Sequence, residues 1–203
     1  MRRLNFHRWP SPVGELSLVW DEEGLRALDF EDYDARLERL LTRHYGAFTL
    51  KPAEPPTWLT GPLEAYFAGD IRALEGLPVA TGGSAFQEKV WAALREIPAG
   101  ETWSYGRLAA HVGQPKASRA VGLANGANPV GIVTPCHRVI GADATLTGYG
   151  GGLERKRWLL EHEGVALAPE RRRASKTPEA QLTFALAPSG AATGEAVAPL
   201  SVD

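Results

Sequence analysis

The chain has 203 residues, of which 44% are hydrophobic and 23% charged, and its formal net charge is −2. This is ordinary globular composition for one or two domains; it excludes wholesale disorder, and no run approaches the ~18 consecutive apolar residues of a transmembrane helix. A single cysteine, Cys136, excludes an intrachain disulfide and any multi-thiolate zinc or iron–sulfur site. Met1 to Arg8 lacks the apolar run of a secretion signal, so a soluble cytoplasmic protein with no membrane association is expected.

Charge is unevenly distributed. Residues 1–84 carry nine Lys and Arg against thirteen Asp and Glu, whereas residues 85–165 carry nine against seven. Trp103–Arg138 holds Arg107, Lys116, Arg119 and Arg138 and no acid. Such a window lowers the cost of approaching phosphates. Charge alone leaves a polyanion and a chance gap as equal readings.

In chain order, Leu4–Trp9, Glu15–Trp20 and Leu25–Phe30 read as short strands separated by Ser11-Pro12-Val13-Gly14 and Asp21-Glu22-Glu23-Gly24, a meander. Tyr33–Tyr45 has Leu37, Leu40, Leu41 and His44 at helical spacing, with Gly46 as a stop. A second helix lies between Trp58 and Phe67, interrupted at Gly61-Pro62, and Leu77–Ala80 is a further strand. Thr81-Gly82-Gly83 ends this α+β unit, residues 1–81.

The second unit, residues 84–167, is mostly helical. Ser84 and Gln87 form a capping-box pattern before the apolar face Phe86, Val90, Trp91, Leu94 and Ile97. Ser104 caps a helix carrying Tyr105, Leu108, Ala109 and Val112. Pro115 suits the first turn of the next helix, with Ala117, Ala120, Val121 and Ala124 on its inner face. Two short helices around Gly113 make a helix-turn-helix pattern, which also occurs in purely structural bundles. Val130–Val133 reads as a buried strand, Gly148–Gly152 as a loop and Leu153–His162 as a last helix. From about residue 168 to 203 the texture is that of a disordered tail, with Arg171-Arg172-Arg173 read as a solvated charge run.

A lone cysteine is commonly an inert packing residue. Here His137 and Arg138 flank Cys136, and both are groups that lower a thiol pKa. Adjacent residues of an extended chain point to opposite sides, so a water would have to carry the proton from Cys136 to His137. The histidine needs an anchoring acceptor, for which Glu163 is a candidate.

Pro135-Cys136-His137-Arg138-Val139, Asn128-Pro129, Gly148-Tyr149 and Lys156-x-Trp158-Leu159-Leu160-x-His162-Glu163-Gly164 together resemble the O6-alkylguanine-DNA alkyltransferases. Ser104-Tyr105-Gly106 and Pro115–Gly122 match that family's DNA-binding segment. The match is strong from Phe86 to Gly164 and weaker before it, where Pro12-Val13-Gly14 and Gly24-Leu25 are the main echoes. The resemblance implies an α+β fold: a small antiparallel N-terminal sheet with helices, ribonuclease H-like, and a helical C-terminal domain with a helix-turn-helix.

It also implies a DNA repair activity. The alkyl group of O6-alkylguanine, and of O4-alkylthymine, in double-stranded DNA passes irreversibly to Cys136 after minor-groove binding and base flipping. His137 through water, Glu163 and Asn128 complete the catalytic group. Arg119 enters the vacated stack, Tyr105 rotates the nucleotide and protonates N3, and Gly106 and Gln114 open helices toward phosphates. Val139 through its carbonyl, Tyr149 and Gly150 form the base pocket. Gln114 stands where asparagine is usual, Gly150 where some relatives have serine, Thr134 where an apolar residue is usual and Ala144 where glycine is. No cofactor and no metal are expected, since the thiolate zinc site of some relatives is impossible here and His7 and His44 cannot replace it. A monomer with access to the nucleoid is expected. The runner-up is an alkyl-lesion-binding protein without transfer, whose relatives replace the cysteine; a Cys–His thiol hydrolase is disfavoured by the adjacency of the pair.

Overall fold

Three short runs at the start of the chain, separated by turn residues, form β1 (Arg2–Trp9), β2 (Leu16–Asp21) and β3 (Gly24–Phe30), paired antiparallel as the expected meander. The computed structural model describes residues 1–167, so the expected tail and its arginine triplet lie outside the described residues. All six residues of β2 are buried. Its Leu16, Leu18 and Trp20 belong to one apolar cluster and Val19 to another, as a strand covered on both faces requires.

A strand absent from the expectations, β4 (Phe48–Pro52), lies parallel to β1 and gives the order β3-β2-β1-β4. It is a largely exposed edge strand ending in proline, so it carries no alternation to detect. On one face α1 (Asp34–Tyr45) packs Leu37 and Leu41 against Leu4, Val19 and Ala27. On the other, α2 (Thr57–Phe67) packs Leu59, Leu63 and Tyr66 against Leu16, Leu18 and Trp20. The expected interruption at Gly61-Pro62 does not occur: α2 continues through Pro62, and the Trp58 carbonyl that the proline cannot serve lies in an exposed turn. The strand expected at Leu77–Ala80 is a single bridge between Val79 and Leu25, because Pro78 has no N–H to extend a ladder.

The second segment opens with α3 (Ala85–Arg95), which carries both bonds of the capping box between Ser84 and Gln87. The two-residue strands β5 (Trp103–Ser104) and β6 (Val139–Ile140) pair in parallel. Ser104 Oγ accepts from the Arg107 N–H at 3.1 Å and caps α4 (Tyr105–His111). The next helix, α5 (Ser118–Gly126), starts later than Pro115 suggests. Pro115 and Lys116 sit in a turn closed by the Ala117 N–H on the Gln114 carbonyl at 2.8 Å. Its inner stripe is Val121, Ala124 and Asn125, while Ala120 is exposed and Ala117 half-buried. Trp91 of α3 donates through Nε1 to the Ala124 carbonyl at 2.8 Å.

The chain closes with α6 (Leu153–His162). Its Leu159, with Val130, Ile132 and Val133, joins the cluster formed by β2, β3 and α2, so the loop before Cys136 is seated on the sheet. Among the described residues no helix is long and apolar enough to cross a membrane.

Candidate active site

The segment that carries the thiol departs from the expected strand. Val130 makes one bridge to Leu28, after which the chain turns. The Val133 N–H closes on the Gly131 carbonyl at 2.7 Å around Ile132, whose φ is 65°. That is the uncommon γ-turn with positive φ, strained for a β-branched residue. The Cys136 N–H then closes on the Thr134 carbonyl at 2.7 Å around Pro135, at φ −80° and ψ 64°, the common inverse γ-turn. Two successive tight turns replace the extended chain and lead into a 3-10 turn over Cys136–Arg138.

Asn128, just beyond α5, holds this path in place. Its Nδ2 donates to the carbonyls of Thr134 at 2.8 Å and Val130 at 3.3 Å, and its Oδ1 accepts from the Val130 N–H at 3.0 Å.

The turn sends neighbouring side chains in different directions. Cys136, 7% exposed, lines a cavity of about 270 Å³. His137 is fully buried and its Nε2 meets Glu163 Oε1 at 3.0 Å. Arg138 also turns to Glu163, with Nε at 2.7 Å from Oε2 and Nη2 at 2.9 Å from Oε1, while Nη1 donates to the Ile97 carbonyl at 2.6 Å. Tyr66 of α2 donates its hydroxyl to Glu163 Oε1 at 2.8 Å.

Burial alone would raise the Glu163 carboxyl, but His137 and Arg138 hold it well below the usual carboxylate range. Burial pushes the His137 imidazole down, against the pull of Glu163. A neutral His137 therefore donates from Nε2 to a carboxylate. Its buried Nδ1, which has no partner among the described residues, is left as an acceptor.

The thiol does not behave as its neighbours suggest. Burial pushes the Cys136 pKa up, opposed by a hydrogen bond from Asn128 and by the cations of Arg36 and Lys156. Arg138 is not among those opposing groups, because its guanidinium is committed to Glu163. A nucleophile held this way needs a base to remove its proton as it reacts.

Tyr105, Tyr149 and Gly150 line the cavity with Cys136 and Asn128. Burial raises both phenols, Tyr149 well above its ordinary value. Gly122 of α5 lies against the Tyr105 ring, which would be 3.7 Å from a Cβ at that position. Gly151 is packed on Phe30, whose ring would stand 2.1 Å from a Cβ there. Only glycine lets this loop approach the sheet closely enough to seat Tyr149. Val139 is not on the cavity wall; its side chain is in the helical core and its carbonyl accepts from Lys156 Nζ at 2.6 Å. Gly106, Gln114 and Arg119 are exposed on α4, the turn after it and α5.

Two models of the 6-O-methylguanine DNA methyltransferase family match, the ribonuclease-like domain over residues 6–81 and the DNA-binding domain over residues 85–165. A methylated-DNA–protein-cysteine methyltransferase of Salmonella typhimurium is 51% identical over 170 residues, covering 82% of this chain and 99% of that one. The chain belongs to the 6-O-methylguanine DNA methyltransferase family. A relative of the same name in Methanosarcina acetivorans is 44% identical, covering 76% of this chain and 94% of its own. Among solved structures, Mycobacterium tuberculosis OGT in complex with DNA superposes with a TM-score of 0.65 at 42% identity, covering 79% of this chain and 92% of that one.

In this methyltransferase-family chain several site residues escape a reading by sequence. Arg36 of α1 lines the cavity, pairs with Asp29 of β3, and donates through Nη2 to the Gly126 and Asn128 carbonyls, both at 2.9 Å. A cation thus sits at the C-terminal end of α5, where the helix dipole favours it. Where some relatives have serine, a Cβ at Gly150 would stand 3.0 Å from that guanidinium. Tyr66 and Arg36 give no local signal of their roles. Lys156 does: with Leu159, Leu160 and Glu163 it repeats at the spacing of one helical face, and all four are buried. Burial lowers the Lys156 ammonium to about 8.

Proposed function

We propose that the chain repairs double-stranded DNA by moving the alkyl group of a flipped-out O6-alkylguanine, and of O4-alkylthymine, onto Cys136, once per molecule. The observation that carries this reading is the buried series from the thiol at the cavity to His137, Glu163, Arg138 and Tyr66. It supplies a nucleophile, an acceptor nitrogen and a fixed anion in sequence.

Sγ attacks the alkyl carbon in line, the carbon–O6 bond breaks, and its electron pair leaves with guanine. A water hands the thiol proton to His137 Nδ1, and the resulting imidazolium is stabilised by Glu163. Tyr105 gives a proton to guanine N3, and solvent then neutralises phenolate and imidazolium. Asn128 positions the loop, and Tyr149 and Gly150 wall the base. Arg119 fills the vacated stack and Gly106, in the first turn of α4, presents its backbone N–H to a phosphate, whereas the Gln114 N–H is taken by the Ala109 carbonyl at 2.8 Å and leaves only its exposed side chain for such a contact.

The product is a thioether, and its carbon–sulfur bond is not hydrolysed by a water and a general base such as His137, because a thiolate would have to be displaced from a saturated carbon; this limits the protein to one turnover. This reading includes an N-terminal domain, 1–81, and a catalytic domain, 84–167, a division supported by family matches ending at 81 and beginning at 85. It also includes action as a cytoplasmic monomer with access to the nucleoid. Lesion binding without transfer is not favoured, since Cys136 stands in the cavity.

The test is intact mass and peptide mapping after mixing with duplex DNA holding one O6-methylguanine. One methyl on Cys136, lost in Cys136→Ala while duplex binding persists, is expected. Transfer surviving in Cys136→Ala, or tight binding with no mass gained by the native chain, overturns the reading.

A further inference from the structure

A second concavity opens beside the active-site cavity, about 880 Å³ in volume, between α1 and α5. One wall is a row of arginines on α1, Arg36, Arg39 and Arg43, and the other is Gly122, Leu123 and Gly126 of α5. The two cavities share Arg36, Gly122 and Gly126, so the groove adjoins the site that holds Cys136.

The members of the row differ in what they already bind. Arg36 is engaged by Asp29 and by the end of α5. Arg39 and Arg43 are exposed, and neither has a hydrogen-bond or ion-pair partner among the described residues. They stand four residues apart on α1, where like charges repel, and Glu38 is the one acid on the wall. Across from them Leu123 is 73% exposed on the helix that also carries Arg119. An unneutralised pair of cations, Arg39 and Arg43, facing an uncovered leucine and adjoining the cavity that holds Cys136, matches a sugar–phosphate backbone in both its anionic and its apolar parts.

We propose that this groove receives the backbone of the duplex beside the lesion, with Arg39 and Arg43 on successive phosphates and Leu123 against deoxyribose. The N-terminal sheet domain then contributes directly to DNA affinity through α1, and the helix-turn-helix does not act alone. The proposal rests on the repair reading given above, and it adds a second, sequence-independent contact surface to it.

The experiment measures affinity for a short duplex with one O6-methylguanine as a function of salt, for the native full chain, Arg39→Ala/Arg43→Ala and Arg39→Lys/Arg43→Lys. Each lost phosphate contact removes about 0.9 from the slope of log affinity against log salt, so the alanine variant should lose about 1.8 and bind on the order of tens-fold more weakly near ~0.1 M salt. The lysine variant should keep the native slope. Reaction of Cys136 with free O6-benzylguanine should be equal in all three.

An unchanged slope in the alanine variant overturns the proposal. So does a parallel loss of binding and of free-base reactivity in both variants, which would make the arginines part of the fold. An effect seen only on duplexes long enough for two molecules would assign the groove to a second copy of the chain and overturn it too. Failure of the repair reading shows separately, as native protein that gains no methyl on Cys136.

Discussion

Glu163→Gln tests the electrostatic design of the site with the loss of a single charge. Three donors converge on Oε1, from Tyr66 at 2.8 Å, His137 at 3.0 Å and Arg138 Nη2 at 2.9 Å, and one, Arg138 Nε at 2.7 Å, on Oε2. A carboxamide can accept at only one of these positions. Its better orientation places the NH2 group against the Arg138 Nε–H, and the other places it against three donors. Either way Arg138, itself buried, loses its counter-charge. Breaking a buried pair from one side costs about 3–5 kcal/mol, a large share of the ~5–15 kcal/mol that holds a domain folded. Urea unfolding at pH 7 should show a loss of that order.

The sign with pH is also fixed. The folded Glu163 carboxyl lies below its ordinary range, so its contribution is complete above about pH 4.3 and is lost as pH falls beneath it. The stability gap between native and variant should therefore narrow on acidification from pH 6 toward 3. Single-turnover transfer should slow by about 10²-fold at unchanged duplex affinity, because His137 loses the anion that sustains its basicity. A stability change within about 0.5 kcal/mol at pH 7, or a gap that does not move with pH, would refute the assignment of Glu163 as the buried anion.

Asn128→Ala leaves the carbonyls of Val130 and Thr134 and the Val130 N–H without their partner; a loss of about 2–4 kcal/mol in chemical denaturation is expected, with slower transfer in single-turnover assays. Lys156 is lowered to about 8 in the folded chain, so the unfolded chain binds more protons between there and its ordinary value, and this residue makes stability rise with pH over that window. The difference between native and Lys156→Met melting profiles isolates the effect; a flat difference from pH 7 to 10 would contradict the burial of a titrating lysine. Gly151→Ala would put a Cβ 2.1 Å from the Phe30 ring and should cost about 1–3 kcal/mol. Gly61→Ala on α2 meets nothing within 4 Å and should be neutral or stabilising by up to ~1 kcal/mol in thermal melts.

Where a signal is local, the sequence was enough. The meander follows from short apolar runs and turn residues and the start of α3 from the spacing of Ser84 and Gln87. The His137–Glu163 contact has no local signal, and Glu163 is a candidate from the need for an acceptor and from the family resemblance. Short apolar runs misled, because Val130, Ile132 and Val133 are buried and a buried turn has the same composition as a buried strand. β4 was invisible because an edge strand has little to bury. Tyr66 reaches Glu163 and Arg36 reaches the end of α5 only through the tertiary packing of the first segment on the second. The expected lowering of the Cys136 thiol fails for a related reason. Proximity in sequence put Arg138 beside the thiol, but the 3-10 turn aims it at Glu163, and burial then sets the direction.

That direction has a consequence for a nucleophile used only once. A thiolate is the form that oxidants and stray electrophiles attack, and a sulfinic or sulfonic product would end the molecule's use without repair. Burial keeps Cys136 protonated at rest. The neutral His137, with a free acceptor nitrogen and a fixed anion behind it, makes removal of the proton available at the moment an alkylated base fills the cavity. The pKa of the thiol and the charge on Glu163 therefore act as a pair. The first suppresses reaction without substrate, and the second lowers the cost of reaction with it.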